Sequence, residues 1–119
     1  MDNGIDTGDI LYQESFSLDG NLKDIFNRII KIGFNGVCNI IEGNYEVVKQ
    51  NNKDITSYKR RTKEMSEIKI DDLKNYTAKQ LHNKIRTLQS PYPNAFVKCK
   101  DDTKLFITHT NLGDKNETD

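Results

Sequence analysis

Carboxylates and glycines crowd the start of the chain, Asp2-Asn3-Gly4-Ile5-Asp6-Thr7-Gly8-Asp9, and that composition suits a loop that works on a ligand. A carboxylate can accept a proton from a reacting group, and a glycine, having no β-carbon, lets the backbone turn tightly and lie against a flat molecule. The same residues also make an ordinary Asp-Gly turn leading into a strand. A second group, Lys59-Arg60-Arg61, is the only dense cationic cluster. Its guanidinium forks match phosphate or carboxylate in bidentate geometry, while Glu64 and Glu67 nearby fit a solvated, charge-balanced loop equally well. Tyr92 stands between Pro91 and Pro93 on a stiff turn, where its ring either lines a substrate edge or packs at a junction; packing is favoured. Arg86 falls one position past Ile85, off the apolar face of its helix, in reach of a carboxylate or a substrate phosphate. His82 and His109 read as packing or surface histidines. Cys38 and Cys99 lack metal-ligand spacing, and no disulfide is expected between them.

These residues need elements to hold them. Asp9 to Leu18 is apolar at Ile10, Tyr12, Phe16 and Leu18 with polar residues between, the pattern of a strand with one covered face. Asp19-Gly20 turns the chain. Leu22, Ile25, Phe26, Ile29, Ile30, Phe34, Val37, Cys38, Ile40 and Ile41 then recur at the spacing of an amphipathic helix. Within it Gly33 and Gly36 predict a bend or a close approach, and Gly43-Asn44 predicts its end. From Tyr45 to about Asp72 the periodicity is lost, longer than the roughly 12–15 residues of an ordinary connection. Thr77 and Gln80 form a capping box for a helix bearing Leu81, Ile85 and Leu88, ended by Ser90-Pro91. Ala95-Phe96-Val97 and Leu105-Phe106-Ile107 flank Lys100-Asp101-Asp102-Thr103 as a hairpin. The tail from Asn111 to Asp119 reads as polar and frayed.

Composition narrows the classes. At 119 residues, 34% hydrophobic and 30% charged, the chain is one soluble domain or part of one. Lys+Arg and Asp+Glu both number 18, so no summed field draws in nucleic acid or an acidic membrane, and any anion site must be local. No apolar run approaches the roughly 20 residues that span a bilayer. With no secretory signal, a cytoplasmic location is expected.

Two segments resemble the 10-formyltetrahydrofolate-dependent formyltransferases. The first is Met1-Asp2-Asn3-Gly4-Ile5-Asp6-Thr7-Gly8-Asp9-Ile10-Leu11, similar to the loop that carries the family's catalytic Asp. The second runs from Tyr58-Lys59-Arg60-Arg61-Thr62 through Ser66-Glu67-Ile68 and Leu81-His82-Asn83-Lys84-Ile85-Arg86-Thr87-Leu88 to Pro91-Tyr92-Pro93-Asn94-Ala95-Phe96. With the strand and helix between them the resemblance covers roughly residues 1–108. The Lys-Arg-Arg-Thr and Pro-Tyr-Pro-Asn-Ala-Phe wording, without a Trp, looks more like the nucleotide-sugar N-formyltransferases than the methionyl-tRNA enzymes. Two departures stand out: Lys63-Glu64-Met65 follows Arg-Arg-Thr where the family often has Pro-Glu-Asp, and no aromatic occurs around Ile70.

The resemblance implies an α/β fold, the C-terminal part of a doubly wound formyltransferase core (strand, long helix, long loop) over residues 1–57, then a capped helix and small β-hairpin over 58–110 and a flexible tail over 111–119. It implies formyl transfer from 10-formyltetrahydrofolate to the amino group of a nucleotide-linked amino sugar, with methionyl-tRNA as the alternative acceptor and a non-catalytic remnant or partner-dependent subunit as a further one. Such transfer passes through a tetrahedral intermediate that needs donors for its oxygen and a base for the amine proton. Asp6 matches the family's Asp, the backbone of Ile5, Asp6, Thr7 and Gly8 is expected against the pterin, and Arg60, Arg61 and Tyr92 are candidate substrate contacts. The family's Asn and His precede this point, and neither His82 nor His109 matches them. A fragment or truncated form is therefore expected to be inactive alone, with a separate chain as one possible source of the missing half; Met1 falls where the family often has an internal Met. No membrane, nucleic-acid or metal partner is expected.

Overall fold

The computed structural model describes residues 8–51 and 56–113. Ile5, Asp6 and Thr7, the core of the Asp-Gly loop, lie outside the described residues. The chain divides into two compact units, Met1–Asp19 with Lys23–Lys59 and Gly20–Leu22 with Arg60–Asp119.

The first unit is dominated by helix α1, Leu22–Ile41. Its length follows from sustained three- and four-residue apolar spacing, and its end from a left-handed residue that continues no helix. Gly43 adopts φ 76°; its N–H donates to Ile40 O at 3.2 Å and the Asn44 N–H reaches back to Asn39 O at 2.8 Å. These are the two bonds of a Schellman stop, which satisfy carbonyls the helix leaves open. Of the two glycines inside α1, Gly36 marks the close approach: a β-carbon there would fall 2.5 Å from Cδ1 of the Tyr12 ring, whereas one on Gly33 meets nothing within 4 Å. Gly33→Ala is therefore expected to stabilise the chain by about 0.4–1 kcal/mol, and Gly36→Ala to lose that gain by displacing Tyr12. Thermal melting of the two variants checks this; equal shifts would show that the Tyr12 contact carries no energy.

The strand expected over Asp9 to Leu18 is absent. Ile10 makes one isolated antiparallel bridge to Val48, with both backbone bonds formed at 2.8 and 2.9 Å, and the residues beyond it run extended without a ladder. A strand exists through its neighbours, and among the described residues this segment has one paired residue. The parallel sheet of a doubly wound core is likewise not represented among the described residues. The apolar face of α1 is covered only in part: Leu22 and Ile25 are buried, while Ile30, Phe34 and Ile41 remain 68%, 69% and 79% exposed.

In the second unit the supposed irregular stretch holds a 3-10 turn, Lys63–Ser66, and a short helix α2, Ile70–Asn75. The Lys69 N–H is capped by the Asp72 carboxylate at 3.0 Å, and Asp71 and Asp72 in the first turn oppose the helix dipole favourably. Helix α3, Ala78–Arg86, begins at the expected capping box. Thr77 Oγ1 accepts from the Gln80 N–H at 3.2 Å, and Gln80 Oε1 accepts from the Thr77 N–H at 2.8 Å. It stops at Arg86, a turn earlier than Ser90-Pro91: Thr87 is its C-cap, with its hydroxyl donating to Asn83 O at 2.8 Å, and the Leu88 N–H makes a tighter i−3 bond to Ile85 O at 3.0 Å.

Strands β1, Ala95–Lys98, and β2, Lys104–Ile107, pair antiparallel with Phe96 opposite Phe106. Those rings meet edge to face at 6.3 Å, and Lys104 Nζ stands 4.3 Å over the Phe96 ring. The Cys99 carbonyl accepts from the Asp102 N–H at 3.1 Å, Asp102 takes φ 61°, and Asp101 accepts from the Thr103 hydroxyl at 2.7 Å and its N–H at 3.2 Å. That hydroxyl first, then the N–H, holds the Asp101 carboxyl below its ordinary 3.8. A depressed folded value means the turn's contribution is complete above pH 3.8 and lost as pH falls below it through the folded value. Acid titration followed by amide NMR is expected to loosen Thr103 in that window, and Asp101→Asn to remove the transition.

Ile68, Ile85, Leu88 and Ala95 are buried together as one cluster, with Leu81, Val97 and Ile107 packed against it. Residues 66–68 close the other edge of β1. Glu67 bridges Phe96 in parallel, the Ile68 N–H donates to Phe96 O at 2.7 Å, and fully buried Ser66 donates its hydroxyl to Pro93 O at 3.4 Å.

Candidate functional site

Two concave surfaces of the second unit bring candidate side chains together. The larger, about 580 Å³, has an apolar floor of Ile68, Leu81, Ile85, Val97 and Ile107, and a rim that includes Glu67, Lys69, His82 and Lys98. On that rim Lys98 pairs with Glu67 at 3.7 Å, and His82 Nδ1 lies 2.9 Å from the Thr110 hydroxyl. His82 is thus a half-buried packing histidine, and His109 is exposed. Asn111 and Leu112 also line this cleft, so the chain beyond the hairpin contributes to a surface there.

The smaller cleft, about 320 Å³, is lined by Arg61, Met65, Asp72, Tyr76, Gln80, Leu81 and Lys84. The 3-10 turn, α2 and α3 present these side chains. Arg61 is anchored by one bond, Nη2 to Met65 O at 2.8 Å. Lys84 donates to Glu67 O at 2.7 Å and lies 3.9 Å from the Asp72 carboxylate. Neither acid that could neutralise the Arg60-Arg61 pair does so. Glu67 faces Lys98, and Glu64 is held below its ordinary 4.5 by a hydrogen bond from Thr62, its own backbone N–H, and the charges of Lys104 and Lys63. Among the described residues no carboxylate pairs with Arg60 or Arg61. Arg60, Arg61 and Glu64 are all exposed, a solvated loop without a direct ion pair to either arginine among the described residues.

The other sequence candidates are dispersed. Arg60 is exposed and lines neither cleft. Tyr92 is 49% exposed, its N–H tied to Gln89 O at 2.8 Å in the turn before β1, and it too lines neither cleft. Arg86 bonds Asn83 Oδ1 at 2.7 Å and the Gly20 carbonyl. Gly8, the described end of the Asp-Gly loop, is exposed. Its carbonyl accepts from Gln50 Nε2 at 2.6 Å, and a β-carbon on it would meet nothing within 4 Å. Sequence reasoning missed Tyr76, Gln80 and Lys84, which neighbour Arg61 only because two short helices fold back on the 3-10 turn. The Asp72 cap was the available signal.

Residues 61–119 match the family model of the formyl transferase C-terminal domain. The chain belongs to the formyltransferases. It corresponds to their C-terminal part: it is 31% identical over 105 residues to the methionyl-tRNA formyltransferase of Rickettsia canadensis and 30% identical over 105 to that of Rickettsia massiliae, covering 85% of this chain and 33% of each relative. The chain thus spans about a third of the length of the curated relatives it matches. Among solved structures, the methionyl-tRNA formyltransferase from Clostridium thermocellum superposes with TM-score 0.79 at 31% identity, over 95% of this chain and 48% of that one. A 4-N formyltransferase from Francisella tularensis gives 0.70 at 22% identity over 95% and 49%, a likeness of fold. These relatives favour the methionyl-tRNA alternative over the nucleotide-sugar branch. In this formyltransferase chain Pro91, Tyr92 and Pro93 are exposed, the Pro93 carbonyl accepts from Ser66, and Ala95 and Phe96 are buried. Those two buried residues report how a core is filled, not which acceptor is held. Among the described residues no helix is long and apolar enough to cross a membrane.

Proposed function

We propose that this chain supplies the C-terminal part of an enzyme that moves a formyl group from 10-formyltetrahydrofolate to the amino group of methionyl-tRNA. The observation that carries the acceptor is the name shared by relatives at 30–31% identity, two of them curated and one a solved structure. When bound, the folate supplies the activated formyl carbon. A β-carbon on Gly8 would meet nothing within 4 Å and its carbonyl accepts from Gln50, which is consistent with the pterin resting against the backbone of Ile5 to Gly8 as the family resemblance implies. Asp6 takes the role of orienting and charge-stabilising the family's His and helping to remove the amine proton. The Asn and His that share this work in the family have no counterpart in these 119 residues, so turnover requires a polypeptide segment that carries them.

The test is a transfer assay with the chain and that segment together, offered methionyl-tRNA and, separately, a nucleotide-linked amino sugar. Formylation of methionyl-tRNA supports the reading. Formylation of the sugar alone replaces it with the sugar branch, and transfer to neither makes the chain a non-catalytic remnant.

A further inference from the structure

We propose that Gln50 is a positioning residue for the Asp-Gly loop: its side-chain amide clasps the Gly8 carbonyl and so fixes the peptide on which the loop ends. The proposal rests on the reading of this chain as part of a formyltransferase that uses 10-formyltetrahydrofolate. Three observations carry it. The first is register. Ile10 and Val48 exchange both backbone bonds, at 2.8 and 2.9 Å, as an antiparallel pair. In antiparallel pairing one partner's number rises as the other's falls, so the same register sets Gly8 opposite Gln50. The second is the contact itself. Gln50 Nε2 donates to Gly8 O at 2.6 Å across 42 positions of sequence, which ties the end of the loop to a distant segment as well as to its own neighbours. The third is the residue that is tied. Gly8 is exposed and a β-carbon on it would meet nothing within 4 Å, so no side-chain packing of its own holds that peptide.

A carbonyl bonded to a fixed donor loses the rotation of its peptide plane, and the chain passes that constraint on. Gly8 follows Asp6 by two residues, so the Asp6 α-carbon lies within about 7 Å of the pinned one. Glycine has the widest backbone freedom of any residue, so without a donor on Gly8 O the loop is free to reorient just where the bridge ends. For a group that must meet a reacting amine, a displacement of about 1 Å costs about 100-fold in rate. The clasp is exposed, so its net contribution to global stability is small. Its effect falls on the geometry of the loop.

The experiment has two arms. In the full 119-residue chain, NMR order parameters of the Gly8 and Asp9 amides report the clasp without any catalysis. Gln50→Glu keeps the size of the side chain and removes its donor, and it is expected to drop both amides from the rigid range of about 0.85 to below about 0.6. Gln50→Lys restores a donor at similar reach and is expected to return them. In the transfer assay with the Asn- and His-bearing segment, Gln50→Glu is expected to lower kcat about 10- to 100-fold. It is also expected to raise KM for 10-formyltetrahydrofolate about 3- to 10-fold, one hydrogen bond's worth of preorganisation. KM for the acceptor should stay as it is, and Gln50→Lys should recover both losses. A fall in kcat with both KM values unchanged is what lost folded protein would give, and it overturns the positioning role. Order parameters or a folate KM indifferent to Gln50→Glu overturn it as well, whichever acceptor is formylated. Loss of order at Gly8 with no turnover by the parent chain overturns the formyl-transfer reading, and with it the use of the clasp in that reaction.

Discussion

Asp6→Asn is expected to lower formyl transfer at least about 100-fold when the chain is assayed with the segment that carries the family's Asn and His, because general acid–base groups each contribute on that order or more. The amide keeps the size of the side chain and one acceptor oxygen, but it replaces the other with an NH2 donor and can neither hold a negative charge nor accept the amine proton. The reading assigns Asp6 to chemistry, not to holding the ligand in place, so the loss should fall on kcat with little change in KM for the acceptor. Steady-state kinetics on both substrates check it. Retained turnover would remove Asp6 from the mechanism and return the Asp-Gly loop to an ordinary turn.

Ile85→Ala is expected to destabilise the second unit by about 2–5 kcal/mol, the range for removing a large aliphatic side chain from a packed core. Ile85 sits among Ile68, Leu88 and Ala95, where α3 packs against the segment at the edge of β1. Against a whole-domain stability of about 5–15 kcal/mol the loss is large enough to unfold much of the population near body temperature. Urea denaturation read by circular dichroism measures it. A loss below about 1 kcal/mol would mean that the cluster does not hold the unit together.

Where one periodic signal ran long enough, structure was legible in the sequence. Helix α1 begins at Leu22 and ends at Gly43-Asn44, and the Thr77–Gln80 box and the hairpin register around Lys100 to Thr103 follow from local chemistry alone. Two features were not legible, for different reasons. Helix α2 is six residues long, and its apolar members Ile70 and Leu73 are 77% and 63% exposed, so it has no buried stripe for a pattern to report. The strand at Ile10 has the right alternation and lacks the neighbours that make alternation a strand. For the candidate site, Arg61 was visible as a cation, but its surroundings were not: whether Glu64 and Glu67 neutralise it depends on Lys98, Lys104 and the Thr62 hydroxyl, more distant or less obvious partners than sequence proximity suggests. The motif around Pro91 to Phe96 was visible, but its two buried residues, Ala95 and Phe96, report core packing and say nothing of the acceptor. Asp6 remains a reading from resemblance, tested only by its variant.

The central claim concerns the acceptor, and a competition in one vessel tests it most directly. The chain and the Asn- and His-bearing segment are supplied with 10-formyltetrahydrofolate carrying a labelled formyl group, and with methionyl-tRNA and a nucleotide-linked amino sugar together. Label is expected on the methionyl amino group and none on the sugar. Label on the sugar with the tRNA left bare would contradict it.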